Sequence, residues 1–293
     1  MKLSPTAKDL YLRCPLAYYM KYVLGYREEI VGSPLIIGSA NDAGTEALLQ
    51  GKTLEEAKKI HDELLLNPVV NGVQVDAVTS ELIKWSKSDL KNSPIDSENP
   101  AEIWVAKGHM ILEQYQKQVL PKIKDVLGTQ IKASITNDFG DEAYGYADFI
   151  YEHIDGRIIL ADNKTSGKKY NDEKIEEMMP QLAFYEECLR DEYKIDASEF
   201  IVMVKDIRKT ERNGPRVVIQ DEFIFNIPEE MLQKTFDDFE EVMHNIRMGR
   251  FESKAPECHR FYGPCLCSMN QDGGYNSSGG TDLRGLVKVE RKR

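Results

Sequence analysis

The sequence predicts an α/β protein in which a helical N-terminal region precedes a β-sheet with flanking helices. Three observations predict it: apolar residues recur every three or four positions through most of residues 1–128, hairpin turn signals follow, and helix and strand patterns then alternate. Of the 293 residues, 41% are hydrophobic and 30% are charged, as in a folded globular protein. This composition excludes disordered, collagen-like and disulfide-stapled chains.

The N-terminal region is predicted to be helical. Ser4 and Pro5 make a typical N-cap and first turn of a helix, which Pro15 interrupts. Polar loops containing glycine, asparagine and proline separate the apolar patterns that follow. Further helices are predicted at residues 17–26, 38–50, 54–66, 77–90 and 101–127.

Strand patterns begin near residue 130. Gly140-Asp141 and Asp155-Gly156 are hairpin turn signals, so three consecutive strands are expected to form a meander. Pro180 lies inside the next helix and is expected to kink it or split it in two. The predicted strands are 130–139, 142–152, 157–164, 200–207 and 216–227, and the predicted helices of this part are 172–193 and 228–248.

The chain is expected to form one domain, residues 1–268, and a flexible tail. The domain divides into a helical part at 1–128, a sheet core at 129–227, and a C-terminal helix with a cysteine cluster at 228–268. Five glycines and three serines after Cys267 predict the flexible tail, 269–293. Without a membrane-spanning run or a signal peptide, a cytoplasmic protein is expected. The net charge of −11 excludes histone-like binding of nucleic acid by bulk charge, but not a local basic groove.

Acidic and basic side chains follow the apolar run that begins at Ile158. Strand alternation puts Asp162 and Lys164 on one face, and it puts Asp148 on a face of the preceding strand that is expected to be buried. A buried carboxylate must be paired, protonated or bound to a cation. Two interpretations are therefore open: a structural Asp–Lys ion pair, or a site for a divalent cation such as Mg²⁺.

Two polar residues of the following helix, Gln181 and Tyr185, lie four positions apart and so on one helix face. The short connection from the Lys164 strand is expected to bring that face near the end of the strand. Alone, the pair is equally typical of an ordinary helix surface.

Together these blocks resemble the PD-(D/E)xK nucleases of the RecB type, including AddB and CRISPR-associated members. That family combines a strand aspartate, a (D/E)xK strand and a QxxxY helix; here these are Gly145-Tyr146-Ala147-Asp148, Asp162-Asn163-Lys164 and Gln181-Leu182-Ala183-Phe184-Tyr185. Ser4, Tyr11, Cys14-Pro15 and Tyr18-Tyr19 resemble its opening helix. The resemblance covers about residues 4–267 and implies a restriction-endonuclease-like core with a mixed central sheet flanked by helices.

The resemblance implies a DNA exonuclease that depends on Mg²⁺ or Mn²⁺. It would cleave phosphodiester bonds without sequence specificity, act on linear ends, and serve recombination, repair or phage replication. Asp148, Asp162 and the main-chain carbonyl of Asn163 would bind the metal, and Lys164 would orient water or stabilise charge. Gln181 would hold Lys164 or a phosphate oxygen, and Tyr185 would contact the DNA backbone. The alternative is a nuclease-derived DNA-binding or scaffolding module that has lost catalysis.

One metal ligand departs from the family pattern. RecB-type nucleases carry a histidine four residues after a glycine, whereas Gly38 is followed at that spacing by Asp42. Because an aspartate also suits Mg²⁺ or Mn²⁺, Asp42 is expected to be the third ligand, with Glu46 as a second candidate. The other interpretation is that the ligand has been lost.

The cysteines depart from the family pattern too. The resemblance implies a [4Fe–4S] cluster held by four thiolates, although the spacing of the last three is unusual. A structural Zn²⁺, favoured by the adjacent His259, or no metal are the alternatives. The four cysteines are Cys14, Cys258, Cys265 and Cys267. The remaining histidines show no ligand spacing and are predicted to be surface or packing residues: His61, His109, His153 and His244.

Overall fold

The computed structural model describes residues 1–87, 89–90, 93–167, 169–204, 217–224, 227–252 and 286–289. The helices are α1 (Pro5–Arg13), α2 (Pro15–Tyr18), α3 (Ser33–Leu49), α4 (Leu54–Leu66), α5 (Pro100–Gln118), α6 (Asp172–Tyr193) and α7 (Glu229–Arg247). A π-helical turn, Tyr19–Val23, follows α2, and a 3₁₀ turn, Leu120–Lys122, follows α5. Within these ranges, no helix is both long and apolar enough to cross a membrane.

The strands divide into one large sheet and three small pairs. The large sheet contains β1 (Lys2–Leu3), β7 (Ile123–Thr136), β8 (Glu142–His153), β9 (Ile158–Ser166), β10 (Ala197–Val204) and β11 (Val218–Ile224). The small pairs are formed by β2 (Tyr26–Glu28), β3 (Val31–Gly32), β4 (Val69–Val70), β5 (Val73–Gln74), β6 (Ile83–Lys84) and β12 (Leu286–Lys288).

The large sheet is mixed. β1 runs parallel to β8 and β9 parallel to β10, whereas the β7–β8, β8–β9 and β10–β11 pairs are antiparallel. Side chains of β8 and β9 alternate between its faces, so Ile150 and Leu160 pack with α6 and α7 while Phe149 and Ala161 pack with α3 and α5. The predicted α/β fold with a mixed central sheet flanked by helices is confirmed.

β8 has two different neighbours on one of its sides. β7 pairs with it along nearly its whole length. On the other side, β9 pairs with β8 residues 149–152, and β1 pairs with residues 142–143. Residues 144–148 of β8 lie between those two pairings and face no described strand on that side. This opening in the sheet is called the notch below.

The prediction of a helix at 77–90 is wrong. The Asp76 side chain accepts a hydrogen bond from the Val78 amide at 2.8 Å, which stabilises a turn instead. Further along, the Ser80 hydroxyl accepts from the Leu82 amide at 3.1 Å, and Ile83 pairs with Val31 as a strand. Local hydrogen bonds of short polar side chains therefore override the apolar spacing.

The predicted helix at 101–127 ends early. Pro121 has no amide hydrogen to continue a helix, so α5 stops at Gln118 and β7 begins at Ile123. By contrast, α6 continues through Pro180, so the expected split does not occur. Apolar side chains on both sides of Pro180, including Ile175 and Leu182, pack into one cluster and hold the two halves in line.

Two more predictions, for residues 17–26 and for the C-terminal tail, differ from the structure. The predicted helix at 17–26 is shorter, because the chain passes from α2 through the π-helical turn into strand β2. Within the predicted flexible tail, β12 pairs antiparallel with β2, so residues 286–288 are a strand. Their sequence, Leu286-Val287-Lys288, combines apolar and β-branched residues that suit a strand.

Candidate active site

The two strands that carry the predicted acids separate at the acids themselves. The β8–β9 ladder runs as far as Phe149 opposite Ala161. The next residues are Asp148 and Asp162, on the side of the sheet that α6 covers. Here the Asn163 amide donates to Oδ2 of Asp148 at 2.8 Å. The strands therefore fork at the edge of the notch, and both carboxylates lie at the fork.

Lys164 projects from the same face of β9 as Asp162, and the two side chains form an ion pair. Asp162 is 1% exposed, so its carboxylate is almost entirely removed from water. Burial lowers the pKa of Lys164, but the charges of Asp162 and Asp148 outweigh burial and raise that pKa above its usual value. Lys164 is therefore an ammonium ion at neutral pH.

Three carboxylates surround this one ammonium. Burial and the charge of Asp162 raise the pKa of Asp148 to about 7, against the opposing charge of Lys164. The outer surface of Asp42 is open to solvent, yet surrounding protein removes part of its hydration. This desolvation raises the pKa of Asp42 to about 6, while Lys164 lowers it and Asp162 raises it. The excess negative charge is of the kind that a divalent cation offsets.

Asn41 connects Asp42 to the fork and was not found from the sequence. It is fully buried, and its Nδ2 donates to Oγ1 of Thr165 on β9 at 3.2 Å. Its Oδ1 is buried without a hydrogen-bond partner among the residues described. The bond to β9 fixes α3 one residue away from Asp42, so Asn41 helps to set the position of that carboxylate. The sequence feature that could have indicated Asn41 is a polar asparagine at a position of α3 that faces the core.

The predicted pair on α6 lies beside the fork. Nε2 of Gln181 donates to the hydroxyl of Tyr185 at 3.0 Å, rather than to Lys164. Burial raises the pKa of Tyr185, and the charges of Asp162 and Lys164 act on it as well. The Tyr185 ring covers Gly145 in the notch so closely that a Cβ there would lie 2.6 Å from Cε1 of the ring. Only glycine allows this contact.

A second residue missed from the sequence supports the fork from the opposite face. The Tyr115 hydroxyl, on α5, donates to Oδ1 of Asn163 at 3.3 Å. Asn163 is buried, and its amide already bonds to Asp148. Backbone and side chain of Asn163 are thus both held, which orients the main-chain carbonyl proposed as a ligand.

Some predicted ligands lie elsewhere or outside the described residues. Glu46 accepts hydrogen bonds from Gln50 and Thr129, so it is directed towards β7 rather than offered to the fork. Cys14 is buried at the start of α2. Cys258, Cys265 and Cys267 lie outside the described residues, so the predicted cluster site is not seen. Cys188 lies on α6 and is half-buried.

Two histidines for which the sequence showed no ligand spacing lie together. His61 and Asp62 of α4 meet His109 of α5 as a group of three side chains with ligating atoms. The 47 residues that separate Asp62 from His109 hide this arrangement from any spacing rule. The packing of α4 against α5 creates it.

Comparison with known proteins identifies a family for this chain. The model of the PD-(D/E)XK nuclease superfamily matches residues 2–268, which is nearly the whole chain. No curated protein sequence matches at a significant level. Among solved structures, the chain is similar to the crystal structure of SSO0001, at 12% identity over 85% of this chain and 87% of that chain, with a TM-score of 0.30.

The family match includes β8, β9 and α6, and therefore every residue of the fork. Members of this superfamily are metal-dependent nucleases. The protein belongs to the PD-(D/E)XK nuclease superfamily.

Proposed function

We propose that this protein is a divalent-metal-dependent DNA exonuclease of the RecB type that cleaves phosphodiester bonds without sequence specificity. The observation that carries the proposal is the fork: Asp148 and Asp162 meet where β8 and β9 separate, and Lys164 is paired with Asp162. A structural ion pair needs one carboxylate for one ammonium. Here two further carboxylates have raised pKa values, as expected where a cation is to bind.

The donor atoms fit a hard divalent cation. Asp148, Asp162, Asp42 and the main-chain carbonyl of Asn163 offer oxygen ligands, which Mg²⁺ and Mn²⁺ prefer. When bound, the cation supplies a water of lowered pKa and offsets charge on the scissile phosphate. The partly exposed Asp42 leaves an approach from solvent for a phosphate group.

Lys164 acts as the positive group of the reaction. It remains protonated, because two carboxylates lie beside it, and it can donate to the attacking water or to a phosphate oxygen as negative charge develops there. Gln181 holds Tyr185 in place, and the Tyr185 hydroxyl contacts a backbone phosphate. None of these groups reads a base, so cleavage without sequence preference follows.

The wider assignments rest on the resemblance to RecB-type nucleases. We propose linear DNA ends as the substrate, recombination, repair or phage replication as the process, and the cytoplasm as the location. At the cysteines, we propose a [4Fe–4S] cluster held by Cys14, Cys258, Cys265 and Cys267, with a structural Zn²⁺ or no metal as the alternatives. Anaerobically purified protein is then expected to be brown, and Cys258→Ser is expected to be colourless.

Digestion of end-labelled linear DNA and of a closed circle, with Mg²⁺ or Mn²⁺, tests the proposal. We expect the linear DNA to be degraded and the circle to be spared. Asp162→Asn and Lys164→Met are each expected to slow digestion by about 100-fold or more. The first removes a charged ligand of the cation, and the second removes the positive group that stabilises charge in the transition state. Lys174→Met, a matched lysine that pairs with Glu177 on α6, should digest normally.

Circular dichroism of each variant separates loss of catalysis from loss of folding. Normal digestion by both site variants would exclude the fork as the active site. DNA binding without cleavage by the unaltered, cation-loaded protein would identify a binding module instead of a nuclease.

A further inference from the structure

Three side chains with metal-ligating atoms meet between α4 and α5, on elements that contribute no residue to the proposed ligand set. Their ligating atoms all lie within 4.8 Å of one another. Nδ1 of His61 lies 3.0 Å from Oδ1 of Asp62, and Nε2 of His109 lies 2.9 Å from each carboxylate oxygen of Asp62. Two imidazoles from different helices therefore converge on one carboxylate.

The local packing fixes the orientation of the His61 ring. His61 is 1% exposed, and its ring lies directly over Gly108 of α5. A Cβ at Gly108 would lie 2.0 Å from Nε2 of His61, a distance that no side chain tolerates. The Cβ of His61 also lies close to Gly44 of α3. The ring is therefore held between α3 and α5, with Nδ1 directed towards Asp62.

The donor set and its spacing fit one transition-metal ion. Imidazole nitrogen and carboxylate oxygen lie about 2.0–2.2 Å from Zn²⁺, which places neighbouring ligand atoms of a tetrahedral site about 3.3 Å apart. Nitrogen and oxygen atoms of this group are already at about that spacing.

We propose that His61, Asp62 and His109 bind one divalent transition-metal ion, with Zn²⁺ as the best match to two imidazoles and a carboxylate. The side chains of Asp62 and His109 are 29% and 31% exposed, so the ion reaches the site from solvent and keeps a water ligand. This site is separate from the fork and goes beyond the proposed nuclease activity. Mg²⁺, which prefers oxygen ligands, does not replace Zn²⁺ here.

The role of the ion is structural. It links α4 to α5 through side chains and not only through packing. Helix α5 also carries Tyr115, whose hydroxyl supports Asn163 at the fork. Zinc binding is therefore expected to stabilise the helices that support the fork, without taking part in cleavage.

The test measures zinc bound per chain of the full-length protein and its melting temperature with and without ZnCl₂. His109→Ala and Asp62→Asn are the informative variants, because both side chains are partly exposed and their loss leaves no buried cavity. His61 is too deeply buried for a reliable test. His244→Ala, an exposed histidine near the end of α7, is the matched control.

We expect the unaltered protein and His244→Ala to bind one more equivalent of Zn²⁺ than either informative variant. They should also show a zinc-dependent rise in melting temperature that those variants lack. Any zinc held by cysteines or at the fork is present in all four proteins, so it does not contribute to the difference in zinc content between them. Equal zinc content and equal melting shifts in all four proteins would show that the group is only a hydrogen-bonded pair of imidazoles. Because no DNA is involved, the outcome is independent of the nuclease test.

Discussion

Glu199 is a buried acid that lies apart from the fork. It is 1% exposed on β10, and the Tyr151 hydroxyl donates to its Oε2 at 2.6 Å. Burial raises the pKa of Glu199 to about 7, and the charge of Asp221 adds to the rise, whereas Tyr151 and Lys122 oppose it. The folded protein therefore favours the protonated form of Glu199 at pH values where an unfolded chain has already ionised it.

This difference makes stability depend on pH. The unfolded chain loses the Glu199 proton near 4.5 and the folded protein near 7, so the free energy of unfolding falls as pH rises between those values. At about 1.4 kcal/mol for each pH unit, the loss is about 2–4 kcal/mol. Glu199→Gln is expected to remove it, so the variant should be more stable than the unaltered protein at pH 8 and similar at pH 4.5.

Urea unfolding at the two pH values measures the effect. Glu187→Gln, at an exposed position of α6, should keep the pH dependence of the unaltered protein. If Glu199→Gln loses as much stability with rising pH as the unaltered protein does, then the pKa of Glu199 is the same in the folded and unfolded states.

At the scale of elements, α6 contacts β8 beside the fork, where the Tyr185 ring lies against Gly145. Tyr185 is 4% exposed and is held by Gln181, so its ring has little freedom to move away from the notch. The contact joins the helix to a part of β8 that has no strand neighbour on that side among the residues that the structure describes. The absence of a side chain at Gly145 is what permits it.

Gly145→Ala is expected to push Tyr185 and Gln181 out of position. Overpacking of this kind costs about 1–3 kcal/mol of stability, and displacement of Gln181 and Tyr185, which we propose to position phosphate, should lower cleavage about 10-fold or more. Gly167→Ala, where a Cβ meets nothing within 4 Å, should leave both properties nearly unchanged. Melting temperature and initial cleavage rate are the two measurements; full activity in Gly145→Ala would show that Tyr185 does not position substrate.

The elements that carry the motif blocks were predictable, and the reasons are local. Turn signals at Gly140 and Gly156 defined the hairpins, and both glycines adopt the positive φ that such turns require. Alternation then placed Asp162 and Lys164 on one face of β9. Tyr146, Asp148 and Ile150 were expected to share one buried face of β8, yet Tyr146 is 50% exposed. Its neighbours Gly145 and Ala147 face the α6 side instead.

The supporting contacts were not predictable. Asn41, Tyr115 and the His61–His109 pair depend on how α3, α4 and α5 pack, and a single sequence contains no periodicity that reports such packing. The prediction of a helix at 77–90 was wrong for the opposite reason, because a periodicity was present but did not decide the structure. Its apolar spacing was adequate, but local hydrogen bonds of Asp76 and Ser80 competed successfully with the helix.

At the scale of the whole molecule, the cation site that we propose at the fork would link stability to cation binding. Asp42 and Asp148 have pKa values of about 6 and about 7, compared with 3.8 for an ordinary aspartate. As with Glu199, raised pKa values mean that the metal-free protein loses stability as pH rises from about 4 to about 7. A cation bound by these carboxylates acts in the opposite direction, because it binds the folded state alone.

We expect Mg²⁺ or Mn²⁺ to raise the melting temperature strongly at pH 8 and only slightly at pH 5, where protons occupy the carboxylates. At a 100-fold excess over its dissociation constant, a cation contributes about 2.7 kcal/mol. Calorimetry with EDTA and with added cation measures the shift, and Asp148→Asn is expected to lose most of it. A shift of equal size at both pH values, or in that variant, would exclude these carboxylates as the principal ligands.

The position of β1 beside the notch has a consequence for the order of assembly. Lys2 and Leu3 pair with Glu142 and Ala143, which lie 140 residues later in the chain. During synthesis on a ribosome, the first strand therefore emerges long before its partner exists. β1 cannot pair with β8 until α1 to α5 and the β7–β8 hairpin have been synthesised. Bringing such distant segments together also costs the conformational entropy of closing a long loop. The border of the notch opposite β9 is thus completed late, when β1 joins a strand made about 140 residues after it.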